Sequence, residues 1–124
     1  MGKLTVHAGD FINRDCSIGG GDFVLLKPEN KTKFFGAEIY KGSDLVHLEI
    51  ATEEAVKKVG GTVGWGAAGA LVLGPAGLLA GLLLGGKKKE ITFVAEFKDG
   101  CKLLATCAEK DFNMAKTQFL KASI

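Results

Sequence analysis

The side chains best suited to chemistry are two histidines, His7 and His47, and three cysteines, Cys16, Cys101 and Cys107. Imidazole and thiolate groups form zinc sites, but these residues lie at spacings that match no standard zinc site. A Cys–His nucleophile would need a third group to orient the base, and the sequence supplies no such frame. We therefore expect no catalytic residue and no bound metal.

A glycine-rich stretch, residues 19–22 (GGGD), is the other candidate, because glycine loops can hold phosphate groups. No Gly-Lys-Ser/Thr sequence follows it, so we expect an ordinary loop and no cofactor. The odd number of cysteines argues against a secreted disulfide framework, and residues 1–7 are too polar for a signal peptide. These features predict a protein with reduced thiols that resides on the cytoplasmic side.

The dominant feature is residues 59–86, which we call the uncharged run. It holds none of the 16 Lys and Arg and none of the 14 Asp and Glu side chains. About 20 apolar residues suffice for a helix to cross a bilayer core, so the run is long enough. Small residues recur at every fourth position, a spacing that lets membrane helices pack closely. The predicted self-association residues are Gly66, Ala70, Gly74, Gly77, Gly81 and Gly85, with Trp65 as an interfacial anchor or, alternatively, a buried core residue.

Lysines border the uncharged run on both sides, and each would attract anionic lipid headgroups by about 1 kcal/mol. Basic residues on both flanks are expected when both flanks face the cytoplasm. The net charge of the whole chain is only +2, which gives no reason to expect a nucleic-acid partner. The predicted headgroup-binding residues are Lys57, Lys58, Lys87, Lys88 and Lys89.

Pro75 divides the uncharged run near its middle. Proline disfavours a helical conformation in the preceding residue, but it fits the first turn of a helix. The run is therefore either one kinked span or a hairpin of two helices, residues 62–73 and 75–84. The hairpin is favoured, because the two flanking segments are each too small to fold alone. If they share one sheet, both ends of the run must lie on the same side.

Outside the run, alternating apolar and polar residues predict short strands, most clearly over residues 45–51 and 90–97. Asp99-Gly100 has the composition of a tight turn that leads into a returning strand over 101–107. Residues 15–21 are predicted as a loop because of their three glycines. Thr52 is a predicted helix cap. Further strands are predicted over residues 4–7, 23–27 and 32–35.

Residues 109–122 change to helical spacing, with Phe112, Ala115, Phe119 and Ala122 on one stripe that would cover the sheet. The predicted fold class is α+β. It is a small antiparallel sheet or half-barrel of about six strands, closed by this C-terminal helix and carrying an inserted glycine-rich helical hairpin. The predicted domain organisation is one β-domain made of residues 1–58 and 87–124, with the hairpin at residues 59–86.

Residues 87–120 (KKKEITFVAEFKDGCKLLATCAEKDFNMAKTQFL) resemble part of a class of small bacterial and phage-borne proteins with a pleckstrin-homology-like sheet. In those proteins a glycine-zipper segment precedes a strand, an Asp-Gly turn, a second strand and a helix. The resemblance extends over residues 60–120. It implies a sheet closed by a C-terminal helix that binds a partner rather than catalysing a reaction, and it carries over no site residues.

These features predict a non-enzymatic, self-associating protein at the cytoplasmic side of a membrane. The uncharged run would dock in or insert into the bilayer while the β-domain binds a protein partner or forms a ring. The alternative is a soluble cytoplasmic homo-oligomer, an inhibitor or adaptor with the run buried at its centre. A small hydrolase or metal enzyme is the least supported class. In either case, an exposed apolar segment of this length would not stay monomeric in water.

Overall fold

The structure is a computed structural model that describes residues 2–30, 36–64 and 89–122. Within these residues, seven strands form one sheet and two helices pack against it. Two short 3₁₀ turns lie at Pro28–Asn30 and Gly42–Asp44. The strands are β1 (Gly2–Gly9), β2 (Ile12–Gly19), β3 (Asp22–Leu26), β4 (Glu38–Tyr40), β5 (Leu45–Ile50), β6 (Glu90–Phe97) and β7 (Lys102–Ala108), and the helices are α1 (Glu53–Gly64) and α2 (Glu109–Ala122).

The sheet is strongly curled. Its strands are ordered β4-β3-β2-β1-β7-β6-β5, and every neighbouring pair is antiparallel. If the sheet were flat, β4 and β6 would lie about 24 Å apart, which is five inter-strand spacings of about 4.8 Å. The ring of Tyr40 in β4 nevertheless lies 4.7 Å, centroid to centroid, from the ring of Phe97 in β6. The curl therefore brings β4 close to the C-terminal end of β6.

Aromatic side chains fill the concave face of this curled sheet. Phe23 of β3 lies 5.5 Å from Phe97 and 6.1 Å from Phe93, measured between ring centroids. Phe93 in turn lies 5.7 Å from Phe112 of α2. All four rings are buried, so α2 covers this face and completes the core.

The predicted C-terminal helix is confirmed at Glu109–Ala122. Phe112 and Ala115 are buried and Phe119 is half-buried against the core, as the stripe predicted. Ala122, the fourth member of the stripe, is exposed. The helix is therefore amphipathic over its first three turns only.

The predicted strand over 90–97 is confirmed, and so is the turn after it, in which Gly100 has a φ of +89°. The loop predicted over residues 15–21 is wrong. Only Gly20 and Gly21, with φ of +61° and +85°, form a turn, and the residues before them pair with β1 and β3 as strand β2. Alternation is weak there because the β2–β3 register shifts between Ile12 and Ser17. The strand predicted over 32–35 lies outside the described residues.

The predicted fold class is wrong in two respects. The sheet has seven strands rather than about six, because β2 and β4 were not predicted. The glycine-rich helical hairpin is not found among the described residues, where α1 is a single helix from Glu53 to Gly64. Val56 and Val59 are both buried, so packing stabilises one helix across the point where the charges end. The remainder of the predicted hairpin, residues 65–86, lies outside the described residues.

Candidate functional site

The candidate site is the place where the two ends of the uncharged run join the folded domain, and we call this place the root of the run. Residues 59–64 of the run belong to α1, and the chain is described again from Lys89, directly before β6. Lys57, Lys58 and Lys89 are the predicted site residues that the structure places. The others lie outside the described residues: Trp65, Gly66, Ala70, Gly74, Gly77, Gly81, Gly85, Lys87 and Lys88.

Helix α1 contains the first six residues of the run, and a cap and apolar packing fix its position on the sheet. Thr52 Oγ1 accepts a hydrogen bond from the Ala55 N–H at 3.0 Å, which confirms the predicted cap. In β7, Leu103 and Ala105 belong to the aromatic core, whereas Leu104 packs with α1. Helix α1 therefore covers the convex face of the sheet. The cluster that holds it consists of Ala8, Ala51, Ala55, Val56, Val59, Val94 and Leu104.

The lysines on α1 are exposed, as headgroup-binding residues must be, but Lys58 already has an acidic partner. Lys58 Nζ lies 3.2 Å from Glu49 Oε1 on β5, so its charge is already partly compensated. An anionic lipid would have to compete with this carboxylate. The ion pair also fastens α1 to the edge of the sheet, although an exposed pair of this kind contributes only about 0.2–1 kcal/mol.

Lys89 lies in different surroundings, at the junction of β6 and α2. Its φ is +69°, and its carbonyl accepts a hydrogen bond from the Glu109 N–H at 2.7 Å. Its exposed side chain lines a cavity of about 470 Å³ together with Ala108, Lys110 and Asn113. The backbone bond thus fixes the point at which the chain re-enters the sheet.

A polar cluster that the sequence did not reveal lies where β4 approaches the turn between β6 and β7. The Tyr40 hydroxyl donates to Asp99 Oδ2 at 2.8 Å and lies 4.0 Å from Cys101 Sγ. Asp99 Oδ1 accepts a hydrogen bond from the Cys101 N–H at 2.9 Å. Lys27 Nζ lies 3.9 Å from Asp99 Oδ2 and 5.8 Å from the centre of the Tyr40 ring. These residues come from β4, the β6–β7 turn and the end of β3, so no local pattern could have grouped them.

The protonation of this cluster suits a structural role. Burial, reinforced by the hydrogen bond to Asp99, raises the pKa of Tyr40. Burial also raises the pKa of the Cys101 thiol. Burial works to raise the pKa of Asp99 as well, but the Cys101 N–H and the Tyr40 hydroxyl outweigh it and lower that pKa. At neutral pH the carboxylate is charged while the phenol and the thiol keep their protons, so neither is activated as a nucleophile.

A second polar row crosses β1, β7 and β6. His7 Nε2 lies 2.8 Å from Thr106 Oγ1, which in turn lies 2.7 Å from Thr92 Oγ1. Partial burial lowers the pKa of His7, so its ring is neutral at pH 7. The other histidine, His47, lies on β5 with its Nε2 3.9 Å from Glu96 Oε1. The two histidines therefore serve separate contacts.

In the described part of the chain, no three His, Cys, Asp or Glu side chains come together as metal ligands. Cys107 is buried in the core, where desolvation raises the pKa of its thiol to about 12. None of the helices built from the described residues is both long and apolar enough to span a bilayer. Comparison with family models, with curated proteins and with solved structures gives no match. Function must therefore be inferred from the residues and contacts above.

Proposed function

We propose that this protein is a non-enzymatic module that attaches to lipid bilayers through residues 65–86, while the curled sheet is held at the membrane surface as a binding domain. One observation carries the proposal. Residues 65–86, which we call the inserted segment, lie in the sequence between α1, which follows β5, and β6. Strands β5 and β6 are hydrogen-bonded neighbours. One folded domain thus holds both ends of an apolar segment.

The composition of the inserted segment supports lipid as its environment. Residues 65–86 contain no charged side chain and no hydroxyl, carboxamide or imidazole group. The domain already has a core of its own, in which Phe23, Phe93 and Leu103 are fully buried and pack in one cluster with residues of α2. Protein interiors are close-packed, so we do not expect this core to accept about 20 further apolar residues. The inserted segment then needs another apolar environment, and a bilayer provides one.

The charges at the root fit attachment to a membrane surface. Lys89 is exposed at the point where the chain rejoins the sheet, and Lys87 and Lys88 precede it in sequence. Three adjacent lysines next to an apolar segment would attract anionic headgroups by about 1 kcal/mol each. Lys58 contributes less to this attraction, because Glu49 already pairs with it.

Vesicle flotation of the purified full-length protein tests the proposal. The informative variant is Leu79→Lys/Leu83→Lys, which places two charges in the inserted segment. Each lysine near the centre of a bilayer is unfavourable by about 2.5–3.5 kcal/mol, so vesicle binding should weaken at least a hundredfold. The matched control is Met114→Lys/Leu120→Lys, because these side chains on α2 are 48% and 52% exposed. Both variants gain the same charge, so headgroup attraction changes equally.

We expect the wild type and the control to float with phosphatidylcholine vesicles containing phosphatidylserine, and the variant to remain in the dense fraction. The proposal is overturned if the wild type stays soluble as a discrete oligomer with and without vesicles. That result would instead support the soluble homo-oligomer. Equal flotation of the variant and the wild type would show that the inserted segment is not the attachment site.

A further inference from the structure

Beyond attachment to lipid, we propose that β5 pairs antiparallel with β5 of a second copy of this chain, across a two-fold axis at Leu48. Among the strands built from described residues, β5 is the last in the sheet order and pairs with β6 only. Among the described residues, none other than those of β6 forms a backbone hydrogen bond with residues 46–50. The opposite edge strand, β4, has only three residues and offers far less backbone to pair with.

The backbone pattern shows which groups face the open edge. Ala51 donates its N–H to the Thr92 carbonyl, and Ile50, Glu49 and Leu48 continue the same antiparallel register along β6. In an antiparallel ladder, successive residues turn their N–H and C=O groups alternately toward and away from the partner strand. Glu49 therefore bonds to β6, while Leu48 and Ile50 present both backbone groups to the open edge.

Charge selects the register of the pairing. With the axis at Leu48, each Leu48 bonds to its own copy, and Glu49 lies opposite His47. Moving the axis to Glu49 would place Glu49 against Glu49, which is unfavourable for like charges directly opposite each other. Moving it to His47 would place His47 against His47 and lose the pair of Glu49 with His47. In the favoured register His47 lies between two carboxylates, Glu96 of its own chain at 3.9 Å and Glu49 of the second copy.

Apolar exposure points to the same edge. Val46 is 42% exposed and Ile50 is 53% exposed, and both are large apolar side chains on one edge strand. In the register set by the charges, Ile50 of each copy faces the irregular part of the other β5 at Val46, because the register of β5 shifts between Leu45 and His47. Because the same patch meets itself, the contact closes as a dimer, whereas pairing of β5 with β4 would continue into a filament.

Register-specific cross-linking tests the pairing in the full-length protein. Residues 47 and 49 of opposite copies would form a pair with Cα atoms about 4.5 Å apart, which is within the range of a disulfide. The side chains of His47 and Glu49 are 40% and 37% exposed, so cysteine is accessible at both positions. We expect an equimolar mixture of His47→Cys and Glu49→Cys proteins to form a cross-linked dimer on mild oxidation. Each variant alone should not, and the wild type controls for the three native cysteines.

A proline substitution at the edge strand distinguishes pairing through backbone hydrogen bonds from contact through side chains alone. Because the Ile50 N–H faces outward, Ile50→Pro removes a donor from the open edge without breaking a bond to β6. We expect Ile50→Pro, added to both proteins of the mixture, to abolish the cross-link. Ile50→Ala, which keeps the N–H, should retain it. Circular dichroism and the unfolding midpoint of each variant confirm that it is folded.

The inference is overturned if the mixture cross-links no more than the wild type does. It is equally overturned if His47→Cys alone cross-links to itself, since that requires another register, or if a folded Ile50→Pro variant retains the cross-link. The assay needs no vesicles, so failure of the protein to float with lipid would leave this result unaffected.

Discussion

The Tyr40 hydroxyl donates a hydrogen bond to Asp99 Oδ2 at 2.8 Å, although the two residues are 59 positions apart in the chain. The bond joins the edge strand β4 to the turn between β6 and β7. The same tyrosine ring packs against Phe11 at 5.2 Å and Phe97 at 4.7 Å. Tyr40 therefore contributes both a polar and an apolar contact to the closure of the curled sheet.

Removal of this hydroxyl should weaken the closure without opening a cavity. We expect Tyr40→Phe to lower the free energy of unfolding by about 1 kcal/mol, because the ring stays while the hydrogen bond to a partly exposed carboxylate is lost. Urea unfolding measures the difference. In an Asp99→Asn background the same substitution should have a smaller effect, and an undiminished effect there would show that the bond is not the cause.

Acid should destabilise the protein through His7. Burial holds the pKa of His7 below its ordinary value of 6.5 in the folded state. As the pH falls through 6.5, the unfolded chain therefore binds this proton first, so stability is lost until the pH passes below the folded-state pKa. We expect His7→Gln to lose less stability than the wild type between about pH 7.5 and pH 5. The control is His47→Gln, which keeps His7 and should therefore lose stability over this pH range as the wild type does.

Close packing beneath α2 should make Gly42 intolerant of a side chain. A Cβ at this position would lie 2.5 Å from the Gly21 carbonyl oxygen and 2.8 Å from Gln118 Cβ. We expect Gly42→Ala to destabilise the protein by about 1–3 kcal/mol, as overpacking does in other cores. Gly20→Ala is the matched control, because nothing lies within 4 Å of a Cβ there and only its φ of +61° opposes the change. Thermal unfolding should rank Gly42→Ala as clearly the less stable, and the reverse order would contradict the packing described.

The cap of α1 should contribute measurably to stability. Thr52→Ala removes the oxygen that accepts the Ala55 N–H, and loss of such a cap typically lowers stability by about 1 kcal/mol. Thr52→Ser keeps the oxygen and should behave as the wild type does. Hydrogen exchange at Ala55 and Val56 provides the local readout, since fraying of α1 would speed exchange there before the sheet is affected. Equal exchange rates in both variants would mean that packing alone holds the helix.

Much of the fold was predictable, because local patterns specify it. The strand over 90–97, the Asp99-Gly100 turn and the helix over 109–122 depend on alternation, turn chemistry and helical spacing, which are all local in sequence. Strand β2 was not predicted, because its pairing with β1 and β3 overrides a local sequence that ends in three glycines, of which only Gly19 belongs to the strand. The extent of α1 was not predicted. The prediction placed a boundary at residue 59, where the charged residues end, whereas burial of Val56 and Val59 stabilises one helix across that point.

The contacts of the candidate site were less predictable. Thr52 was identified as a cap because its partner is only three residues away. The pairing of Lys58 with Glu49 and the cluster around Tyr40 depend on which strands become neighbours, and no spacing in the sequence encodes that. The open edge of β5 likewise becomes visible only when the strand order is known.

Fluorescence of Trp65 tests the attachment to lipid most directly, because this residue is the only tryptophan in the chain and lies in the uncharged run. The measurement compares its emission in vesicles whose acyl chains carry bromine with its emission in matched unbrominated vesicles. Attachment through the run predicts strong quenching by the brominated chains only, since bromine quenches on contact. Identical emission in both vesicles, from a protein that remains a discrete soluble oligomer, would contradict it.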